Sequence, residues 1–332
     1  MSDNDKPVPA KLSLDEIEAT RQRLGDHIIE TPVYRWQGPE ISALVGQDTQ
    51  VMLKLELLQY AGSFKVRGAL NNIMQLSGAQ RKRGVTAVSS GNHAVATSYA
   101  AKTLSTNAKV VMMRGASTFR MALCKSHGAE LVIADNVHQA FERVAEFERD
   151  EGRYFVHPFE GRTTALGSAT LGMELCQQVR DLDAVIISIG GGGLCGGMSS
   201  AIKLLSPSTK IYGVEPDGAD SMHRSFAAGR AMPIEQGATI ADSLNAPYAA
   251  PFTFSLCQQN VDTLIKVSDA DIRRTMRLMF REMKLAVEPA AAAAAAALCG
   301  PLAEPLRGQK VGVLVCGTNT DIETLAAHLR ED

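Results

Sequence analysis

The sequence predicts an α/β protein built on open parallel sheets with helices on both faces, divided into two units with a cleft between them. From residue 85 onward short apolar runs alternate with longer amphipathic stretches, the signature of strand–helix–strand repeats. The runs are apolar on both faces, as strands covered from two sides must be. They are also more numerous than one ordinary sheet holds comfortably, so two sheets are expected.

In order along the chain, "VMLKLELL" (51–58) reads as a strand, "QYAGS" (59–63) as a turn, and "FKVRGALNNIMQL" (64–76) as a helix with Ser63 as its N-cap. Strand–helix pairs follow: "VTAVS" with "HAVATSYAAKT", "AKVVMM" with "STFRMALCKSHG", and "AELVIA" with "NVHQAFERVAEFERDEG". Next come "YFVHPF" with "ALGSATLGMELCQQVRD" and "AVIISIG" with a helix over 195–205. Strand "KIYGVEP", a helix over 269–284, the low-complexity "EPAAAAAAAALCG" (288–300) and a last strand "KVGVLVCG" complete the pattern. Pro289 suits a first helical turn and Gly300 a stop, so the alanine run reads as a helix that can pack very close to its neighbours.

Composition narrows the partners. Across 332 residues Lys plus Arg number 34 and Asp plus Glu 36, a formal net charge of −2, so neither nucleic acid nor an anionic membrane is indicated and a small molecule is the expected partner. No apolar run approaches the ~20 residues of a membrane span, and "MSDNDKPVPAKLSLDE" lacks the basic start and apolar stretch of a signal peptide. A cytoplasmic location is expected. Six scattered cysteines form no C-x-x-C pair and seven histidines no cluster, which speaks for reduced core thiols and against a transition-metal site.

Four stretches carry chemistry. Lys65 lies in a first helical turn after a strand, where ligands bind in open α/β sheets; an amine poorly solvated there becomes a nucleophile, although lysines at such positions are commonly surface charges. "IGGGGLCGG" (189–197) follows a buried strand and opens a helix, so its backbone N–H groups suit a phosphate. Gly191, Gly193 and Gly196 also satisfy G-x-G-x-x-G, with Glu215 near the place of a ribose-binding acid, which leaves an NAD-dependent dehydrogenase as the rival reading. "SSGNHAVA" (89–96) offers the hydroxyls of Ser89 and Ser90, the Asn92 amide and helix N-terminal donors to a carboxylate or phenolic oxygen. "CGTN" (316–319) ends the last strand.

In this order, "SFKVRGA", "SSGNHAVA", "GGGGL" and "CGTN" resemble the fold-type-II (tryptophan synthase β-like) pyridoxal-phosphate enzymes, specifically the serine/threonine dehydratase and serine racemase family, from "TPVYR" at 31–35 through residue 321. The resemblance implies a cofactor cleft between a large domain (1–76 and 160–332) and a small one (77–159), in a homodimer. It implies that Lys65 is the Schiff-base lysine, that Phe64 packs on the pyridoxal 5'-phosphate and that Asn92 meets its phenolic oxygen. Gly190, Gly191, Gly192, Gly193 and Leu194 then hold the phosphate, and Cys316 neighbours the pyridine nitrogen. Ser90 faces the substrate α-carbon opposite the lysine, and Ser89, Ser90, Asn92 and His93 flank the substrate carboxylate. The implied activity is α,β-elimination of a 3-hydroxy amino acid such as L-serine or L-threonine to a 2-oxo acid and ammonia, with 3-hydroxyaspartate dehydratase and serine racemase as alternatives. A neutral thiol at the ring nitrogen favours elimination over prolonged carbanion chemistry.

Two departures from the family pattern raise further expectations. Glu215 and the Ala219 carbonyl match two ligands of a family Mg²⁺ or Ca²⁺ site, but Ser221 stands where the second acid is expected. Arg162, before "GSAT" (167–170), is either a surface residue or the partner of a second substrate carboxylate, which would suit 3-hydroxyaspartate.

Overall fold

The computed structural model describes residues 10–235 and 237–330. Ten strands are formed: β1 (Val33–Trp36), β2 (Gln50–Leu55), β3 (Val85–Val88), β4 (Ala108–Met113), β5 (Glu130–Ala134), β6 (Tyr154–Phe155), β7 (Ala184–Ser188), β8 (Lys210–Pro216), β9 (Thr263–Val267) and β10 (Lys310–Val315). They make a six-stranded sheet in the order β1-β2-β10-β7-β8-β9 and a four-stranded sheet in the order β5-β4-β3-β6. Only the β1–β2 pairing is antiparallel. The chain leaves the large sheet after β2, builds the small sheet, and returns at β7.

The last strand, β10, is inserted between β2 and β7. Its residues from Val311 to Val315 are buried, and an apolar strand of that kind is stable only with neighbours on both sides. Its carboxyl end therefore arrives next to the turn that precedes Lys65. The helix Pro289–Cys299 carries Pro289 in its first turn, and Ala290 through Ala297 are all buried. With only methyl groups between backbone and sheet, it lies against β7, β8, β9 and β10.

Several elements depart from the sequence reading. The strand expected over 154–159 stops at Phe155, because Pro158 has no N–H to offer a ladder and restricts the residue before it. Strands β1 and β9 had no counterpart among the expected elements. Both are sheet edges with polar or exposed positions, where a continuous apolar run is neither needed nor safe. The helix after the glycines begins at Gly193 rather than at 195.

Beneath the helix Lys65–Met74 lies a buried ionic cluster. The Arg67 guanidinium donates to Glu56 (2.8 Å to each oxygen) and to Glu174 (2.8 and 2.7 Å), while Lys54 reaches Glu174 at 3.2 Å. All four side chains are essentially inaccessible to solvent. The cluster ties that helix to β2 and to the helix Arg162–Gln178.

Candidate active site

The turn before Lys65 is stapled to the end of β10. Phe64 N–H donates to the Cys316 carbonyl (3.1 Å), Thr318 N–H to the Gly62 carbonyl (3.0 Å), and Ser63 pairs with Gly317 as an isolated bridge. Ser63 is extended, as N-caps are, but Phe64 in the right-handed helical region stands between it and the first helical residue, and its hydroxyl is buried without a partner among the described residues. The expected N-cap therefore lies one residue too far from the helix start. Lys65 Nζ donates to the Pro158 carbonyl at 2.5 Å and stands 5.1 Å from the centre of the Phe64 ring. Burial lowers its pKa to about 8, against the opposing influence of Cys316 and Glu288.

Across the cleft, Gly190 through Leu194 line the wall facing Lys65. The loop is seated on Phe159: a Cβ at Gly191 would lie 2.3 Å from that ring, and one at Gly193 2.4 Å from its carbonyl oxygen. Gly192 has φ +90°, which side chains rarely adopt. Glycine is therefore required here, and the helix Gly193–Leu205 directs the partner-free amides of its first turn at this end. The concave row of donors and the amine opposite fit a phosphorylated aldehyde cofactor. The dinucleotide alternative fails at its acid. Glu215 is fully buried and accepts from the amides of Met222 (2.8 Å) and His223 (2.9 Å) and from His223 Nδ1 (2.6 Å), leaving nothing for a ribose.

The same contacts answer the cation question. Both Glu215 oxygens are taken, Ser221 is buried at the start of the next helix, and Asp220 is turned to Arg224 and Lys266. Among the described residues no group of three or more His, Cys, Asp and Glu could hold a metal, and nothing here supports the expected Mg²⁺ or Ca²⁺ site at Glu215, Ala219 and Ser221. Arg162 is also resolved, as a surface residue: it pairs with Glu16 at 2.6 Å and with the Lys11 carbonyl.

At the end of β3, Ser89 Oγ accepts from Gly91 N–H (3.1 Å) and Ser90 Oγ from Met113 N–H (3.0 Å). Asn92 is clamped on both sides of its amide. Nδ2 donates to Glu288 Oε1 (2.5 Å), and Oδ1 accepts from Asn319 Nδ2 (2.8 Å). His93 donates from Nε2 to the Val156 carbonyl (2.7 Å), and burial with the nearby Lys65 charge lowers its pKa to about 3. His157 falls to about 4 for the same reasons, so both rings are neutral at physiological pH. Burial pushes the Cys316 thiol well above its ordinary range, with the Glu288 charge adding to it.

Glu288 is the site residue that sequence reasoning missed. It is fully buried in the cleft wall, directly before Pro289. Burial raises its pKa to about 7, although Arg120 draws it down. A carboxylate opening an otherwise wholly apolar helix was the available signal.

Lys65, Ser89, Ser90, Asn92, His93, the glycine loop and Cys316 all line one cleft of about 470 Å³. The cleft is also lined by Met113, Val137, Phe141, Phe159 and Tyr248. The aromatic members belong to one chain of edge contacts: Phe141 to Phe155 at 6.3 Å, Phe155 to His157 at 5.4 Å, His157 to Phe159 at 4.8 Å and Phe159 to Tyr248 at 5.4 Å.

Comparison with known proteins agrees with this geometry. Residues 24–317 match the family described as pyridoxal-phosphate dependent enzyme. The chain is 51% identical to phenylserine dehydratase of Ralstonia pickettii, over 95% of this chain and 96% of that one. It is 35% identical to L-threo-3-hydroxyaspartate ammonia-lyase of a Pseudomonas species, over 96% and 98%. Among solved structures, maize serine racemase superposes with a TM-score of 0.89 at 33% identity, covering 96% of this chain and 97% of that one.

Proposed function

The chain belongs to the family of pyridoxal-phosphate dependent enzymes, and we propose that it is a dehydratase for 3-hydroxy amino acids bearing an aromatic β-substituent, 3-phenylserine being the simplest, which it converts to the 2-oxo acid and ammonia. The observation that carries this reading is the set of apolar and aromatic side chains that line the cleft, Met113, Val137, Phe141 and Tyr248 among them. Burying a phenyl ring there contributes about 2 kcal/mol over a methyl group, roughly a 30-fold preference over threonine. The 51% identity to a phenylserine dehydratase supports the same choice. Among the described residues near the cleft Arg120 is committed to Asp242 and Glu288 and Arg114 pairs with Asp135, so a β-carboxylate would have to displace an existing partner.

In this reading Gly190 to Leu194 hold the cofactor phosphate, Asn92 its ring oxygen and Phe64 one ring face, with the Cys316 thiol at the ring nitrogen. The bound cofactor supplies an electron sink for charge developing at the substrate α-carbon. Ser89, Ser90, Asn92 and His93 receive the substrate carboxylate, His93 as a neutral ring. Lys65 Nζ, with its lowered pKa, is a competent base for the α-proton near neutral pH. The β-hydroxyl leaves as water, and hydrolysis of the released product consumes one water and liberates ammonia. The six cysteines are all free thiols, which supports a reducing, cytoplasmic setting.

The test is a panel of 3-phenylserine, L-threonine, L- and D-serine and the 3-hydroxyaspartate isomers, each assayed for 2-oxo acid release. The highest kcat/KM is expected for a phenylserine isomer. A higher value for threonine, serine or hydroxyaspartate would overturn the substrate assignment.

A further inference from the structure

Arg120 is carried by the helix Thr118–Ser126, which packs on the small sheet, yet its guanidinium is buried among groups of the other body. Nε donates to the Asn319 carbonyl (2.9 Å), both terminal nitrogens engage Asp242, and Nη2 approaches Glu288 Oε2 at 3.4 Å. The three partners come from the segment after β10, the short helix Asp242–Leu244 and the residue before the alanine helix. Arg120 is thus a cation delivered across the cleft to the back of Glu288, whose other oxygen holds Asn92.

We infer that Arg120 is a positioning residue that keeps Glu288 charged and, through Glu288, fixes the Asn92 amide toward the cofactor, an inference that rests on the assignment of Asn92 above. The argument is electrostatic and geometric. Glu288 has no water to stabilise its anion, and the titratable or charged groups facing it are Arg120, Asp242, Lys65 and Cys316, with Asn92 as a neutral donor. Asp242 disfavours the anion, and Arg120 is the cation hydrogen-bonded to it. Without Arg120 the carboxyl takes up its proton at a higher pH. The neutral group is a weaker acceptor for the Asn92 amide than the carboxylate, so its hold on the Asn92–Asn319 pair loosens.

The experiment follows the Glu288 carboxyl by ¹³C NMR of the cofactor-free, glutamate-labelled protein, with the resonance assigned by its loss in Glu288→Gln. A midpoint near pH 7 is expected in the native protein. An opposite charge at this distance lowers an acid by about one to three units, so Arg120→Met should move the midpoint up by that amount and Arg120→Lys should restore most of it. Asp242→Asn, at a half-exposed partner, should move it down; this second variant keeps the test available if Arg120→Met does not fold. In parallel, pyridoxal phosphate affinity measured against pH should fall in Arg120→Met as Glu288 protonates. An unchanged midpoint in folded Arg120→Met, or an upward shift in Asp242→Asn, would overturn the inference. A shift of the bound cofactor's visible band in Asn92→Ala tests the underlying assignment of Asn92 separately, because the carboxyl titration does not depend on it.

Discussion

Replacing Arg67 by Met tests whether the buried cluster beneath the Lys65 helix is held together by charge. Arg67 donates twice to Glu56 and twice to Glu174, and also reaches Thr170 Oγ1 at 3.2 Å and the Ile29 carbonyl at 3.3 Å. Met fills most of the volume but leaves Glu56 with only the Thr31 hydroxyl at 2.6 Å, and Glu174 with Lys54 and Arg21. Breaking a buried pair while leaving its partner in place costs about 3–5 kcal/mol. At about 2–4 °C per kcal/mol the thermal midpoint should fall by roughly 6–20 °C. The pH dependence supplies a sign. Burial acts to raise the Glu174 pKa, but the charge and hydrogen bonds of Arg67, with Lys54, outweigh it and the net shift is downward. A depressed folded pKa contributes stability above the unfolded carboxylate pKa, lost as pH falls through the folded value. In Arg67→Met burial dominates, the shift turns upward, and the deficit relative to the native protein should shrink between pH 7 and pH 5. Combining Arg67→Met with Glu56→Gln and Glu174→Gln should recover a large part of the loss. Differential scanning calorimetry across pH measures all of this. A deficit below about 1 kcal/mol, or one that grows on acidification, would refute the reasoning.

Phe141→Ala should lower kcat/KM for 3-phenylserine by roughly tenfold while leaving threonine within about twofold, since only the aryl group reaches the removed ring; equal losses on both substrates would place Phe141 in packing alone. Cys316→Ser keeps a neutral partner at the ring nitrogen and should preserve dehydration, whereas Cys316→Asp should slow 2-oxo acid formation relative to α-proton exchange with solvent, compared by oxo-acid assay and deuterium incorporation. Activity should be indifferent to a chelator and to added Mg²⁺ or Ca²⁺, because Glu215 is already saturated by Met222 and His223; stimulation by either ion would contradict that saturation.

What was legible in the sequence is local. The Ser89–His93 stretch, the glycine loop and Cys316 each follow on an apolar strand, and Lys65 follows β2 after two short helical turns. In an open α/β sheet strand ends share one side, so finding the strands was enough to bring these residues to one cleft. Residues whose role depends on what meets them from another element were not legible. Arg120 and Asp242 are ordinary charges in sequence and acquire meaning only because a helix of the small sheet is laid against the segment before the alanine helix. The aromatic wall draws on Phe141 of the helix Val137–Glu151, Phe159 of a loop and Tyr248 of another, with no spacing that links them. Ser63 and Glu215 show the converse limit, since both have the residue type their expected roles demand. Ser63 pairs with Gly317 one residue ahead of the cap position, which Phe64 occupies, so its hydroxyl meets no helix amide. Glu215 spends its oxygens on the amides that open the helix Ser221–Ala228 and on His223. A side chain's chemistry is set by what remains unsatisfied after folding, and for these two residues backbone amides, which no motif records, settle the outcome.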